Sequence, residues 1–495
     1  VEETDSTISY PQRRRSTTVE SIVNTLELVV TALILAFIFR AFVAEAFRIP
    51  TGSMAETLKG AHYHLRCIRC GYAYDMGGDM LTVPEPRCPS CGYKLPKGMG
   101  VPISNGDRII VAKCIYQFIE PKRWDVIVFK NPTDPRENYI KRLLACPGET
   151  IEIIDGDVYI DGMIARKPPR VQKEMWMPIY DNDYQAVRQG RLLPDSGGGE
   201  SAAGWEQPFE NEGDGKWDLN ASGPTVFALD TDADDVQTIV YNSRTGNDFH
   251  AAYAYNDSAS RYARPNCSDL MVKLDVTVDR QQGRFGAALN KYGIRYEGAV
   301  DFSGRMMISM FADGKPVELT SRTVVAPTAG RWGEFSFANV DHQLVLEYAG
   351  HRLSYDLGSG PRDLGSVSRG IAPEVRLFGA GGMRLWHVKL FRDTHYIGER
   401  VLRGGEGREF TLGKDEFFAC GDNSPASFDS RMWGTDGIGN EGMLFRKGIV
   451  PREYMMGKAF FIYWADAFKP TQRMLPMIPN FSGLKVVYGG SDKEY

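Results

Sequence analysis

"YIKRLLACPGETIEIIDGDVYIDG", Tyr139 to Gly162, decides the architecture of this chain. Its apolar residues come in short runs, broken by Pro147-Gly148, Asp155-Gly156 and Asp161-Gly162. Dipeptides of this kind mark tight turns, so the stretch predicts short strands joined by turns. Lys141 stands inside the first run. In an extended segment Tyr139, Lys141 and Leu143 share one face, and Arg142 points the other way. A lysine buried in such a strand is pushed towards its neutral amine.

The same texture extends outward. "DRIIVAKCIY" (107–116) and "WDVIVF" (124–129) precede the stretch, with Pro132 and Pro135 as turn signals. Residues 401–466 return to it in "EFTLGKDEFFACGDNSPASFDSRMWG" (409–434) and "GKAFFIYW" (457–464). Residues 171–400 differ. After a polar, Gly-rich passage come alternating segments such as "LMVKLDVTV" (270–278), "WGEFSFANV" (332–340) and "HQLVLEYAGHRLSYDL" (342–357). Strands at this spacing predict a β-sandwich inserted into a smaller β-rich domain. The fold class expected is mainly β.

The chain has 495 residues, 43% of them hydrophobic and 24% charged, which suits two to four folded domains. Its net charge of −5 argues against a dedicated nucleic-acid binder. "IVNTLELVVTALILAFIF", Ile22 to Phe39, is 18 residues long and mostly apolar. As a helix it spans about 27 Å, close to a hydrocarbon core of roughly 30 Å. Arg13-Arg14-Arg15 lies just before it, so the positive-inside rule predicts a cytoplasmic tail (1–21), an anchor (22–42) and an extracytoplasmic remainder. The run is longer than the apolar core of an export signal, which favours an uncleaved, single-pass anchor. "MMGKAFFIYWADAF" near the C-terminus is too short to span and predicts a buried strand or a membrane-surface patch.

Just past the anchor stands "RIPTGSMAETL" (48–58), with Ser53 between Gly52 and Met54. A serine hydroxyl is a weak nucleophile until a base takes its proton. None of the seven histidines sits in a motif-like setting; His62 and His64 read as surface or structural residues. Lysine is the alternative base, and Lys141 is the candidate.

Five boxes in order behind the anchor carry a resemblance: "FRIPTGSMAETL", "GDRIIVAK", "RWDVIVFKNP", "YIKRLLACPGETIEIIDGDVYIDG" and "FFACGDNSPASFDSRMWG". Together they resemble bacterial type I signal peptidase over about residues 20–60, 106–168 and 405–466. The resemblance implies Ser53 as the acylating nucleophile and Lys141 as its general base. It implies an oxyanion hole from the Ser53 backbone N–H and the Thr51 hydroxyl, and Met54 lining the pocket near the scissile residue. Ser427 would orient the lysine amine. Gly421, Asp422, Asp429 and Arg431 would form a supporting loop with an Asp–Arg pair, and Arg142 would be structural. The substrates implied are signal-peptide-bearing preproteins with small residues at the first and third positions before the cut. The place implied is a bacterial cytoplasmic membrane, with lipid around the anchor. This chain has Thr51 where the family usually has serine, Glu56 where proline is common, Trp124 where glycine is usual and Ser424 where arginine is frequent. These departures bear on substrate preference, not on the reaction.

Cys67-x-x-Cys70 and Cys88-x-x-Cys91 are each followed by Gly-Tyr. Two such knuckles predict a four-cysteine zinc ribbon, inserted at 61–105 between the serine segment and the "GDR" strand. Four thiolates close the coordination shell, so the zinc expected is structural and catalysis needs no cofactor. An oxidising exterior leaves disulfides as the alternative. Cys114, Cys146, Cys267 and Cys420 are expected to be single thiols, with Cys146 and Cys420 both flanking candidate boxes. The 171–400 block loosely resembles a concanavalin or laminin-G-like jelly roll, a fold that often binds glycans or serves in interactions. The rival reading is therefore a membrane receptor with a retired peptidase core, whose sandwich binds a glycan or a protein partner. Residues 471–495 are expected as a C-terminal tail.

Overall fold

A computed structural model describes residues 18–78, 87–95, 103–185, 207–221, 223, 225–256, 264–312, 314–358, 370–439, 442–465 and 483–490. They are mainly β, behind an N-terminal helix. The central sheet runs in the order Ala44–Arg48, Arg108–Ala112, Met455–Trp464, Val126–Lys130, Asn138–Ala145, Glu416–Cys420, Val450–Pro451. Neighbours are antiparallel. Glu416–Cys420 pairs with Asn138–Ala145, so the chain rejoins its own sheet beyond the large insertion. The apolar run near the C-terminus is an interior strand of this sheet, not a surface patch. "DRIIVAKCIY" is a strand only as far as Ala112; Ile115–Phe118 forms one helical turn. The expected C-terminal tail is corrected in part: Lys485–Val486 pairs with Phe461–Ile462, and Val487 is buried in the core.

The Asp-Gly signals are hairpin turns. Asp155 and Gly156 have φ of 49° and 90°, and Asp161 and Gly162 have 49° and 79°. Positive φ at both central residues gives a turn whose twist matches the flanking strands, and Asp-Gly is the pair that tolerates it. Thr150–Ile154, Asp157–Ile160 and Met163–Ile164 therefore fold into a small sheet, edged by Phe410–Thr411.

The insertion is built on two long antiparallel strands, Leu270–Lys291 and Val375–Arg392. Leu270, Val272, Leu274, Val276 and Val278 alternate inward. They meet Phe285, Phe335, Phe337, Leu346 and Leu377 in one apolar core. Met177–Asp181 already pairs with Val375–Arg392, so the inserted sheet starts near 177. A buried ion cluster seams it to the small sheet. Lys291 pairs with Asp269 and approaches Asp157, while Lys167 bridges Asp341 and Asp393.

The N-terminal helix, Thr18–Ile38, runs through a π turn at Phe39–Val43 straight into the first core strand. Residues 20–43 are long and apolar enough to cross a membrane, and the described chain covers none of that surface. The arginine triplet that sets the expected orientation lies outside the described residues.

Candidate active site

Ser53 sits on a single 3-10 turn, Gly52–Met54, directly after the extended Thr51. Met54 is fully buried with Ile49, Leu58, Ile109 and Val111. It pins the turn to the central sheet from beneath Ser53, fully buried, where the resemblance implied a residue lining the pocket near the scissile residue. Thr51 stays exposed beside it.

Lys141 lies in the middle of Asn138–Ala145, a strand with neighbours on both sides. The alternation foreseen for this strand holds: Tyr139 and Leu143 join one apolar cluster, and Arg142 faces the other way into an ion pair. Lys141 is 5% exposed, and its Nζ donates to Ser53 Oγ at 2.5 Å. Among the described residues it has no carboxylate partner in an ion pair. Burial, opposed only in part by Asp429 and Cys420, lowers the amine to a pKa of about 8. At that value a useful fraction is neutral near pH 7 to 8, which a base must be.

The loop after Glu416–Cys420 closes over this pair. Gly421 N–H donates to Asp429 Oδ2 at 3.0 Å, and Asp429 takes two bonds from the Arg431 guanidinium. A Cβ on Gly421 would collide with Ser53 O and with Ser427 Oγ, so only glycine lets the loop and the turn touch. Ser427 therefore reaches the site, but its buried hydroxyl faces Asp429, and among the described residues it makes no bond to Lys141. Asp429 is its polar neighbour. Asp422 points the opposite way. It forks onto Arg142, 2.8 and 2.7 Å from Nε and Nη2, and accepts from Thr57 and Tyr396.

Several residues escape sequence reading. Asn423 N–H donates to Ser53 O at 3.1 Å, and its amide donates to Gly52 O at 2.9 Å. Ser424 fills its buried place by accepting from Arg431 and from Ile397 N–H. Tyr396 and Thr57 complete the shell of Asp422. The presence of "GDNS" beside the supporting loop is the only sequence signal for Asn423; its partner lies some 370 residues away.

The four clustered cysteines converge. Their sulfur atoms all lie within 4.8 Å of one another, with Cys67–Cys91 and Cys70–Cys88 both at 3.6 Å. Sulfurs bonded as disulfides would be about 2.05 Å apart, while four thiolates at about 2.3 Å from a tetrahedral zinc are spaced near the distances seen. Gly71 and Gly92, each with positive φ, turn their N–H groups back to Cys67 O and Cys88 O. The donor set fits a zinc ion. Cys267 and Cys420 are buried free thiols, and Cys114 and Cys146 are free as well. A second group, Asp157, Asp269 and Asp341, also converges. There the Lys291 amine, paired with Asp269, and the Lys167 amine, paired with Asp341, supply the positive charge.

Residues 94–196 and 394–464 match the family model described as signal peptidase, peptidase S26. Signal peptidase I of Rickettsia canadensis is 31% identical over 127 residues, 26% of this chain and 38% of that protein. The probable signal peptidase I-1 of Synechocystis is 30% identical over 175 residues, 34% of this chain and 64% of that protein. The chain thus spans less than two thirds of the length of these relatives. Among solved structures, a carbohydrate-binding module from Bacillus subtilis resembles 38% of this chain and 92% of its own, at 12% identity and a TM-score of 0.22. A likeness at that level assigns neither fold nor ligand.

Proposed function

We propose, for a chain whose residues 94–196 and 394–464 match the signal peptidase family, peptidase S26, that it is a membrane-anchored serine endopeptidase that removes signal peptides from exported preproteins. One observation carries the reading: the buried Lys141 amine lies 2.5 Å from Ser53 Oγ. In the neutral form Nζ takes the Ser53 proton as Oγ attacks the scissile carbonyl carbon. Negative charge develops on the carbonyl oxygen, and the Ser53 N–H and the Thr51 hydroxyl are the donors proposed to receive it. The Lys141 ammonium then returns its proton to the leaving amine as the C–N bond breaks. Water, activated by the same lysine, hydrolyses the ester and restores Ser53. With the apolar helix at 20–43 as an anchor, this chemistry would lie a few residues from a bilayer surface, where a tethered signal peptide presents its cut site.

The test is cleavage of a preprotein with an Ala-x-Ala site by the detergent-solubilised full chain, with the new N-terminus read by mass spectrometry. Cleavage should rise with pH and reach half its plateau near pH 8, because the lowered Lys141 must lose its proton to act. A profile that climbs only above pH 10, or that reports a histidine near 6.5, argues against Lys141 as the base.

Cys67, Cys70, Cys88 and Cys91 are proposed to hold one structural zinc, which organises the ribbon next to the nucleophile turn and takes no part in the reaction. The purified chain should contain one zinc, and unfolding it with a chelator but no reductant should expose eight titratable thiols. Four thiols and no metal would establish two disulfides instead.

A further inference from the structure

Gly52 has an unexpected neighbour. Glycine before a nucleophile ordinarily leaves room for substrate backbone. Here the space a Cβ would take is filled by the ring of Tyr255, from the insertion. The same ring closes on Gly77 of the ribbon, whose N–H donates to Tyr255 O at 2.9 Å. Tyr255 OH donates to Ala61 O at 3.1 Å. Tyr253 and Tyr255 bury against Ala55 and Met177 in one small cluster. Tyr253 OH donates to Asp422 O at 2.9 Å. Asn256 and Asn423 exchange two amide bonds, of 2.6 and 2.8 Å. Asn423 in turn holds Ser53 O and Gly52 O.

We propose that residues 253–256 of the insertion are positioning residues for the reaction at Ser53: Tyr255 backs the nucleophile turn, while Tyr253 and Asn256 fix the loop that carries Asp422 and Asn423. The insertion is then a working part of the catalytic unit and not a spacer. The geometry favours this over simple packing because the bonds converge on the two segments that set Ser53 against Lys141. Small misplacements there are costly, about a hundredfold for a shift near 1 Å. Asn256 is the discriminating position. It lies partly exposed at the end of the segment, so its loss leaves the sandwich core intact.

This proposal rests on the peptidase reading, and its test separates the two. In the full-length chain, Asn256→Leu should lower kcat for preprotein cleavage at least tenfold with KM changed less than twofold. Asn256→Asp keeps the oxygen that accepts from Asn423 and should recover much of the loss. Tyr253→Phe, which removes a single hydroxyl, should fall between them. Phe337→Leu, in the sandwich core, should lower the thermal midpoint and leave kcat in place. In parallel, the pH dependence of Lys141 acetylation, read by mass spectrometry, reports its titration without any substrate. In Asn256→Leu it should move up towards the ordinary lysine value as water enters. Unchanged kcat and unchanged Lys141 titration in a folded Asn256→Leu chain would overturn the proposal. A moved titration in a chain that cleaves no preprotein would uphold the positioning role and reject the peptidase reading.

Discussion

Ser53→Ala and Lys141→Met are each expected to lower preprotein cleavage by about 10⁴-fold or more, and the double variant to lose no more than either alone. In the proposed mechanism the two groups act as one unit: without the amine at 2.5 Å the hydroxyl keeps its proton, and without the hydroxyl the amine has nothing to activate. Losses that add would mean that two independent routes operate. Methionine suits the lysine position because the site is nearly closed to solvent and flanked by Tyr139 and Leu143, so an uncharged side chain of similar length keeps the packing. Both variants should fold, with thermal midpoints near that of the parent. Retained cleavage at the same bond in Ser53→Ala would remove Ser53 from the mechanism.

Asp422→Ala carries the largest effect on stability. Arg142 is 0% exposed and Asp422 1%. The carboxylate also accepts from Thr57 and Tyr396. Removing it strands a guanidinium in the core of the catalytic unit. A buried pair broken on one side costs about 3–5 kcal/mol. The urea midpoint of the central domain should drop accordingly, and cleavage should fall with it, since Asn423 follows Asp422 directly. Arg142→Met combined with Asp422→Leu should fold better than Asp422→Ala alone, because no charge is then left unpaired. If the single and double variants unfold alike, the hydrogen bonds to Thr57 and Tyr396 matter more than the charge.

Much of the candidate site is legible because its signals are local. The alternating faces of a strand place Lys141 with Tyr139 and Leu143, and the Asp-Gly turns follow from residues that tolerate positive φ. The cysteine knuckles bring four sulfurs together, as their spacing demands. Where the reading was local but the answer was not, it went astray. Met54 looks like a pocket wall beside Ser53, yet the sheet beneath offers it Ile109 and Val111, and burial wins. Ser427 arrives at the site but faces Asp429 and not the lysine. The strand run "DRIIVAKCIY" ends early in a helical turn.

The sequence by itself determined the strands, the apolar helix, the serine and lysine, and the cysteine ribbon, because periodicity, turn chemistry and ligand spacing act within a few residues. Only the tertiary structure decided which distant groups meet. Arg142 finds Asp422 across 280 positions, and the insertion's Tyr255 fills the space beside Gly52. Such pairs depend on how the sheet re-forms around the insertion and on which buried donors still need acceptors. Neither leaves a repeat or a spacing in the chain to be read.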